Sequence, residues 1–276
     1  MKKVLMILAV SLIAVFILTG CTREQPENIE ITMNGSTTVF PIAQRAAEVY
    51  MDAHLNVTIS VEGTGSGNGI AALIDKTTDI ANSSREIKAE EVDKAKANGV
   101  NPYETPIALD ALSIVIHPSN PVNNLTQDQV KKIYTGEITN WKDVGGPDLY
   151  IVVVSRDSSS GTYEAFIELA LGKDTKITDK ALSQASNQVV KNTVATTEGA
   201  IGYIGLGYVD ESVKAISFEG VTPNKENALN KTYPLSRYLY MYTNGEPTGA
   251  VKEFIDFVLG EEGQIIAEEV GFIRIK

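Results

Sequence analysis

The hydrophobic positions of the chain recur in a three-part unit. A short apolar segment is followed by a turn rich in Gly, Ser and Thr, and then by a segment with helical spacing. The unit occurs at residues 29–52 (IEITM, NGSTTVF, PIAQRAAEVYMD), at 57–76 (VTISV, EGTGSGNG, IAALIDK) and at 151–171 (IVVVS, RDSSSGT, YEAFIELAL). Strands that alternate with helices in this way predict an α/β fold with largely parallel sheets.

Other segments follow the same two periodicities. Thr126 and Gln129 form a capping-box pattern at the start of a helix. Further strands are predicted at 107–118, 197–209 and 233–243, and further helices at 89–97, 248–259 and 262–270.

Residues 1–20 predict a secretory signal that is not part of the fold. A basic start precedes an apolar core, and small residues precede Cys21. The apolar stretch is short for a membrane span, which needs about 20 apolar residues. Cys21 directly after Leu-Thr-Gly resembles a bacterial-type lipobox, which implies cleavage before Cys21 and lipid on its sulfur, with 21–28 as a tether. An uncleaved anchor helix or a free thiol are the alternatives.

The composition is that of an ordinary globular protein. The 276 residues are 43% hydrophobic and 21% charged, which suits one large domain or two lobes. The formal charge is −11, and loss of Lys2 and Lys3 with the signal leaves 22 basic and 35 acidic residues, or −13. This balance argues against nucleic acid as a partner. One cysteine and two histidines allow neither an internal disulfide nor a Cys/His metal cluster.

The three Gly/Ser/Thr-rich turns share a chemistry. A helix begins with backbone N–H groups that lack internal partners, and its dipole adds partial positive charge there. Glycine lets a ligand approach this backbone closely, and hydroxyls donate further hydrogen bonds, so such a turn suits an anion. Ser and Thr are also ordinary N-caps, so a single turn would indicate only a capped helix. Three such turns, each after a strand, favour an anion site.

Two arginines strengthen this interpretation. Arg156 lies in the third turn, and Arg85 follows Ser83 and Ser84 in a fourth stretch, TTDIANSSREI (residues 77–87). A guanidinium is a planar fork that matches a tetrahedral oxyanion, and two of them could offset a divalent anion. For Arg85, a surface side chain beside an ordinary turn is the alternative.

Nucleotide binding and hydrolysis are less well supported. The glycines of GTGSGNG do not have the G-x-G-x-x-G spacing, and the chain contains no P-loop motif. A hydrolase with Ser66 or Ser160 as nucleophile would need a histidine base or a metal. His54 and His117 lie at the ends of polar segments, where structural or surface roles are expected. A phosphate-ester hydrolase therefore remains only a rival hypothesis.

Six motifs occur in a fixed order: GSTTVFPI, EGTGSGNGI, DIANSSR, YTGEITNW with VGG, SRDSSSGT and EGAIGYIG. Together they resemble the phosphate-binding proteins of high-affinity phosphate ABC transporters, over essentially all of residues 29–276. YTGEITNWKDVGG is the most specific of them. The resemblance implies a binding protein without enzymatic activity or cofactor, which holds inorganic phosphate in a cleft closed to bulk water.

The resemblance also implies the architecture and the location. It predicts an α/β protein with the two-lobed periplasmic-binding-protein (type II) fold, each lobe a mainly parallel sheet flanked by helices. Lobe 1 would hold residues 29–109 and 233–276, and lobe 2 residues 110–232. The protein would be extracytoplasmic and a partner of the transporter's permease subunits. The lipobox adds a lipid anchor to the cell membrane through Cys21, and we expect the protein to be a monomer.

The family's phosphate contacts carry over to this chain position by position. The matching residues are Ser36, Thr37, Thr38 and Val39 in the first turn, Ser66 and Gly67 in the second, and Arg156, Ser160, Gly161 and Thr162 in the third turn. Ser84 and Arg85 in the fourth stretch are two further candidate contacts, at a place where this chain does not match the family.

Ser84 is a departure from the family pattern. Well-known members have an aspartate there, which accepts the proton of hydrogen phosphate and repels fully ionised sulfate. A serine can accept a hydrogen bond but lacks that charge. A binding protein for another tetrahedral oxyanion, such as sulfate, molybdate or tungstate, is therefore the main alternative.

Overall fold

The structure of the chain is a computed structural model that describes residues 28–275. The signal segment, Cys21 and almost all of the tether lie outside the described residues, and so does the last residue. None of the helices within the described range is long and apolar enough to cross a membrane.

Most of the described strands belong to two five-stranded sheets. The strands are β1 (Ile29–Gly35), β2 (Val57–Gly63), β3 (Ile80–Ser83), β4 (Pro102–Ala111), β5 (Ser113–Ile116), β6 (Asn124–Leu125), β7 (Val152–Arg156), β8 (Leu182–Gln184), β9 (Ala200–Ile204), β10 (Lys214–Ala215), β11 (Ser217–Phe218) and β12 (Ser236–Asn244). The first sheet has the order β2-β1-β3-β12-β4, the second has the order β10-β5-β9-β7-β8, and β6 pairs with β11.

Helices cover the sheets. They are α1 (Phe40–Ala53), α2 (Ser66–Ile74), α3 (Ala89–Ala97), α4 (Gln127–Thr135), α5 (Gly161–Phe166), α6 (Asn187–Thr196), α7 (Lys225–Leu229), α8 (Gly249–Leu259) and α9 (Glu261–Glu269). A π-helical turn, Ile167–Leu171, continues α5, and short 3-10 turns lie at Trp141–Val144 and Leu206–Tyr208. The fold is therefore of the expected α/β class.

Four of the five strands in each sheet point the same way, so the expectation of mainly parallel sheets is confirmed with one reversal per sheet. In the first sheet β12 runs antiparallel to both neighbours, β3 and β4. In the second sheet β5 runs antiparallel to β9 and β10. The reversed strands are those by which the chain enters one sheet from the other, which explains why they break the parallel pattern set by strand–helix–strand units.

The connection between the sheets is a pair of adjacent chain segments. The predicted strand at 107–118 is in fact two strands, β4 in the first sheet and β5 in the second, which meet at Leu112. The Leu112 N–H donates to Leu235 O at 3.0 Å, and Tyr233 Oη donates to Leu112 O at 2.8 Å. The outgoing and returning segments are thus held together where the chain crosses.

Each sheet has a hydrophobic core on both faces. In the first sheet, Ile42 of α1 and Phe254 of α8 belong to the core on one face, and Ile70 of α2 lies in the smaller core on the other. In the second sheet, Trp141 is fully buried in the larger core, while Val190 of α6 packs on the opposite face. The two layered units have separate cores. They meet at loops that connect strand ends to helix starts.

Candidate functional site

The first turn is a tight connection from β1 to α1. Gly35 has φ +136°, a backbone conformation that favours glycine, and a Cβ at this position would overlap the carbonyl oxygen of Asn82. That carbonyl accepts the Ser36 N–H at 2.8 Å. Ser36 Oγ accepts the N–H groups of Thr38 (3.1 Å) and Val39 (3.3 Å), which holds the start of α1 in place.

The second turn and the serine stretch are joined to each other. Ser66 begins α2, and its Oγ accepts the Ser84 N–H at 3.1 Å and lies 3.3 Å from Ser84 Oγ. Both serines are fully buried. The neighbouring Gly67 N–H donates across to Ser159 O at 2.9 Å, so this turn contacts the third turn directly.

The third turn leads from β7 into α5 and carries Arg156. Its side chain is 1% exposed, and the guanidinium is fixed by three bonds, which go to Gln184 O (2.9 Å), Ala185 O (2.9 Å) and Thr37 Oγ1 (3.2 Å). The Asp157 carboxylate lies 3.7 Å away. Ser160 caps α5 by accepting the Tyr163 N–H, so the N-cap interpretation of this serine is also correct.

The predicted residues of the first and third turns meet in the interior. Thr38 Oγ1 and Thr162 Oγ1 are 2.8 Å apart and both side chains are buried. A Cβ at Gly161 would collide with Ser66 Oγ and Ser84 Oγ, so only glycine allows this approach. The residues brought together are Ser36, Thr37, Thr38, Val39, Ser66, Gly67, Ser84, Arg156, Ser160, Gly161 and Thr162. We call them the hydroxyl cluster.

Arg85 is the predicted site residue whose guanidinium points elsewhere. It forms two hydrogen bonds with the Glu91 carboxylate (2.7 and 2.8 Å), and its Nε lies 2.7 Å from Glu164 Oε2, although that N–H is not aligned for a hydrogen bond. Lys88 Nζ also contacts Glu164 at 2.9 Å. Burial would raise the pKa of Glu91, but the hydrogen bonds from Arg85 and Lys88 lower it overall.

Three functional candidates were not predicted from the sequence. Arg237 and Asp110 are direct partners on β12 and β4, with two bonds of 2.9 Å from the guanidinium to Asp110 Oδ2. Arg237 Nη2 also donates to Thr162 Oγ1 at 3.1 Å. Asn187, at the start of α6, donates to Thr37 Oγ1 (2.9 Å) and Thr38 Oγ1 (3.0 Å).

A signal for two of these residues was present in the sequence. Asp110 interrupts the apolar run IALDALSIVI, and Arg237 interrupts LSRYLYMY. A charge inside a buried-strand pattern needs a partner, and two such charges of opposite sign predict each other. Asn187 carried no such signal, because an amide at a helix start is an ordinary capping residue.

The electrostatics of the cluster favour an anion. Burial lowers the pKa of the Arg156 guanidinium, and the positive charge of Arg237 lowers it further; burial likewise lowers the pKa of Arg237. An arginine starts so high that both remain cations at neutral pH. Asp110 is neutralised by Arg237, which leaves the charge of Arg156, the N–H groups of helix starts and the hydroxyls facing one another.

The two histidines are bonded to groups outside the cluster. His54 Nδ1 bonds to Tyr50 O at 2.8 Å and its ring stacks on Tyr50, while His117 Nδ1 bonds to Ser119 Oγ at 2.7 Å. Neither histidine is bonded to a cluster serine. Within residues 28–275 no group of three or more His, Cys, Asp or Glu side chains is placed to hold a metal ion.

A groove of about 490 Å³ leads from the surface to the edge of the cluster. Its lining includes the buried Ser84 and Arg237, and its walls carry Lys88 from the first-sheet side and Glu164 and Glu168 from α5 and its π-helical extension. The Arg85–Glu164 contact lines this groove beside the cluster, and it joins the two sheet units there.

The sequence and the fold were compared with known proteins. A family model described as the PBP superfamily domain matches residues 21–262. The chain is 34% identical to the phosphate-binding protein PstS of Bacillus subtilis over 91% of this chain and 83% of that protein. It is 36% identical to the phosphate-binding protein PstS of Borreliella burgdorferi over the full length of both.

Solved structures give the same picture. A substrate-binding protein assigned to a phosphate ABC transporter of Clostridium perfringens, crystallised with bound phosphate, superposes with a TM-score of 0.84 at 40% identity, covering 90% of this chain and 100% of that one. An ABC-type phosphate transport receptor from Vibrio cholerae superposes with a TM-score of 0.73 at 38% identity, covering 88% and 99%.

Proposed function

Because the chain belongs to the PBP superfamily and, within it, to the phosphate-binding proteins of phosphate ABC transporters, we propose that it captures inorganic phosphate between its two lobes. The bound anion is then delivered to the permease subunits of the transporter. The observation that carries the proposal is the hydroxyl cluster itself, in which donors from both sheet units converge around the buried guanidinium of Arg156. Its role is binding and transport, and no enzymatic step is needed.

The lobes are assigned from the sheets. We propose that lobe 1 comprises residues 29–109 and 233–276, with the first sheet except the last two residues of β4, and that lobe 2 comprises 110–232 and contains the second sheet. The crossing at Leu112 and Leu235 serves as the hinge, because it is where both segments pass between sheets. Closure about this hinge brings the two halves of the cluster together and excludes water, which strengthens each charged hydrogen bond.

The binding residues are assigned by side of the cleft. Lobe 1 contributes the first turn with its hydroxyls and N–H groups, together with Ser66, Gly67 and Ser84; lobe 2 contributes Arg156 and the N-terminus of α5 at residues 160–162. The N–H groups of Gly161 and Thr162 at the start of α5 have no partners within the helix and are available to an anion, while the Tyr163 N–H donates to Ser160 Oγ. Arg85 acts indirectly, because its guanidinium is occupied by Glu91 and Glu164.

Cys21 is proposed to carry the lipid that anchors the mature protein to the outer face of the cell membrane. The tether at residues 21–28 would then let a monomeric binding protein move between free phosphate and the permease.

The direct test is calorimetric titration of residues 22–276, which include every described residue. Phosphate and sulfate are added separately to ligand-free protein at about pH 6 and pH 8. Tight phosphate binding is expected, because the cluster offers several hydrogen-bond donors and the buried cation of Arg156. Absence of phosphate binding at both pH values would refute the proposed function.

The titration with sulfate tests a second candidate function, that of a broader oxyanion receptor. Ser84 has no charge to repel an oxyanion that carries no proton, and this favours a broader oxyanion receptor. Sulfate binding comparable to phosphate binding would establish that broader specificity. Absence of sulfate binding would mean that groups other than Ser84 discriminate between phosphate and sulfate.

The Arg85–Glu164–Lys88 contact predicts a kinetic effect. Glu164→Gln removes the charge that joins the lobes beside the cluster, and we expect about a three- to tenfold weaker phosphate affinity, mostly through faster release. The effect stays modest because the group is partly exposed. Stopped-flow release rates measure it. Glu168→Gln is the matched control, since Glu168 lines the same groove but pairs with Lys173, and equal effects from both variants would remove the interlobe role.

A further inference from the structure

The hydroxyl of Thr37 has its two acceptor positions filled by the protein. Its Oγ1 accepts from Arg156 Nη1 at 3.2 Å and from Asn187 Nδ2 at 2.9 Å. A hydroxyl has two lone pairs and one proton, so an oxygen that accepts twice has only its proton left to offer. Thr37 is therefore set as a hydrogen-bond donor towards whatever lies in the cleft.

The same count of lone pairs and protons gives the direction of the hydrogen bond between Thr38 and Thr162. Arg237 Nη2 has two protons: one goes to Asp110 Oδ2, and the other is shared between Thr162 Oγ1 (3.1 Å) and Thr38 Oγ1 (3.4 Å). Thr38 Oγ1 also accepts from Asn187 Nδ2 (3.0 Å), so donors face both of its lone pairs and its proton goes to Thr162 Oγ1 at 2.8 Å. Thr162 Oγ1 also accepts from Arg237 at 3.1 Å. Its lone pairs are thereby used, and Thr162 becomes the second hydroxyl whose proton is free to donate.

Asn187 and Arg237, which make Thr37 and Thr162 hydrogen-bond donors, are themselves held in place. Asn187 Oδ1 accepts the Gly205 N–H at 3.2 Å, which orients the amide so that its NH₂ faces the threonines. Asn187 is completely buried. Arg237 is held by the two bonds to Asp110, whose other oxygen accepts the Leu206 N–H at 2.8 Å. Neither donor can be exchanged for an acceptor without breaking these contacts.

On the opposite side of the cluster, at Ser66 and Ser84, the direction of the hydrogen bond between the hydroxyls is not fixed. Ser66 Oγ accepts the Ser84 N–H, but the hydroxyl–hydroxyl contact between the two serines can run in either direction. If Ser84 donates to Ser66, then Ser66 must donate onward and the Ser84 oxygen keeps lone pairs that can accept a proton from a ligand.

The geometry points to Asn187 as a positioning residue that determines which protonation state of the anion is bound. Together with Arg237 it holds Thr37 and Thr162 as donors, so these face only unprotonated oxygens, and a proton carried by the ligand is directed to Ser84. This inference rests on the proposed function and adds to it a specificity for the protonation state of the anion. It makes Asn187 a determinant of binding that does not have to touch the anion.

A double-mutant cycle between Asn187→Ala and Thr37→Val tests the inference. Titration calorimetry at about pH 8 gives the phosphate Kd of each variant of residues 22–276. In the otherwise native protein Thr37→Val is expected to weaken binding at least tenfold. In the Asn187→Ala background, where the Thr37 hydroxyl can rotate, the same change is expected to cost less than threefold.

The matched control uses the same helix. Asn192 lies on the exposed face of α6, where its Oδ1 bonds only to the Gln188 side chain at 2.9 Å. In the Asn192→Ala background the cost of Thr37→Val should equal its cost in the native protein. If Asn187→Ala does not fold, Asn187→Ser replaces it in the cycle, because its shorter side chain cannot reach both threonines.

The pH dependence gives a second readout that loss of structure would not produce. Once Thr37 can accept as well as donate, a more protonated phosphate is tolerated better. The loss of affinity caused by Asn187→Ala should therefore be at least threefold larger at about pH 8 than at about pH 6. Additive costs in the cycle together with parallel pH profiles would overturn the inference. Native protein that binds no phosphate would instead overturn the proposed function.

Discussion

Arg156→Ala is expected to reduce phosphate affinity by about 30-fold to several thousand-fold. Truncating one member of a buried, hydrogen-bonded charge pair costs about 2–5 kcal/mol, and each 1.4 kcal/mol is about a tenfold change in Kd. The Arg156 side chain is 1% exposed, and the carboxylate that faces its charge lies 3.7 Å away, so the guanidinium is expected to interact strongly with an anion in the cleft. Calorimetric titration of the variant against the native protein gives the ratio directly.

The shape of the group should matter as much as its charge. Arg156 bonds at once to Gln184 O, Ala185 O and Thr37 Oγ1, which requires the planar fork of a guanidinium. Arg156→Lys should therefore recover only part of the affinity. Arg45→Ala is the control, because Arg45 is an exposed arginine paired with Glu48 on α1. A Kd for Arg156→Ala within threefold of the native value, in a folded variant, would contradict the assignment of the site.

The parts of the site that were predicted from the sequence are those with local causes. A strand, a Gly/Ser/Thr-rich turn and a helix start are neighbours along the chain, and hydroxyls at residues 36–38, 160 and 162 follow from capping chemistry alone. The family motifs then indicated that these turns act together. The confirmed α/β fold has the same origin, since apolar periodicity sets each element and the strand–helix–strand units set the strand direction.

The parts that could not be predicted depend on contacts between distant residues. Asn187 reaches Thr37 across 150 positions, and Arg237 reaches Thr38 across 199. Nothing near either residue in the sequence encodes these partners. Arg85 was predicted to face the anion because, like Arg156, it follows a serine-rich stretch. Its guanidinium instead contacts Glu91 on α3 and Glu164 in the other lobe, and neither contact is visible in the sequence around Arg85.

Asp110→Asn is expected to destabilise the protein by about 3–5 kcal/mol, because it leaves the buried Arg237 without its counter-charge. For a chain of this size that corresponds to a fall in Tm of roughly 6–20 °C. Calorimetric or circular-dichroism melting without phosphate measures it. Asp128→Asn is the matched control, since Asp128 forms an exposed pair with Lys132, and its Tm should stay within a few degrees of the native value.

A double variant separates the stability of the Asp110–Arg237 pair from its part in binding. Asp110→Asn combined with Arg237→Gln removes both charges, so much of the lost Tm should return, because an uncompensated buried charge is no longer present. Phosphate affinity should not return, since Arg237 also donates to Thr38 and Thr162. A double variant that recovers both Tm and native affinity would reduce the pair to a structural link between β4 and β12. Recovery of Tm alone would place Arg237 among the groups that organise the anion site.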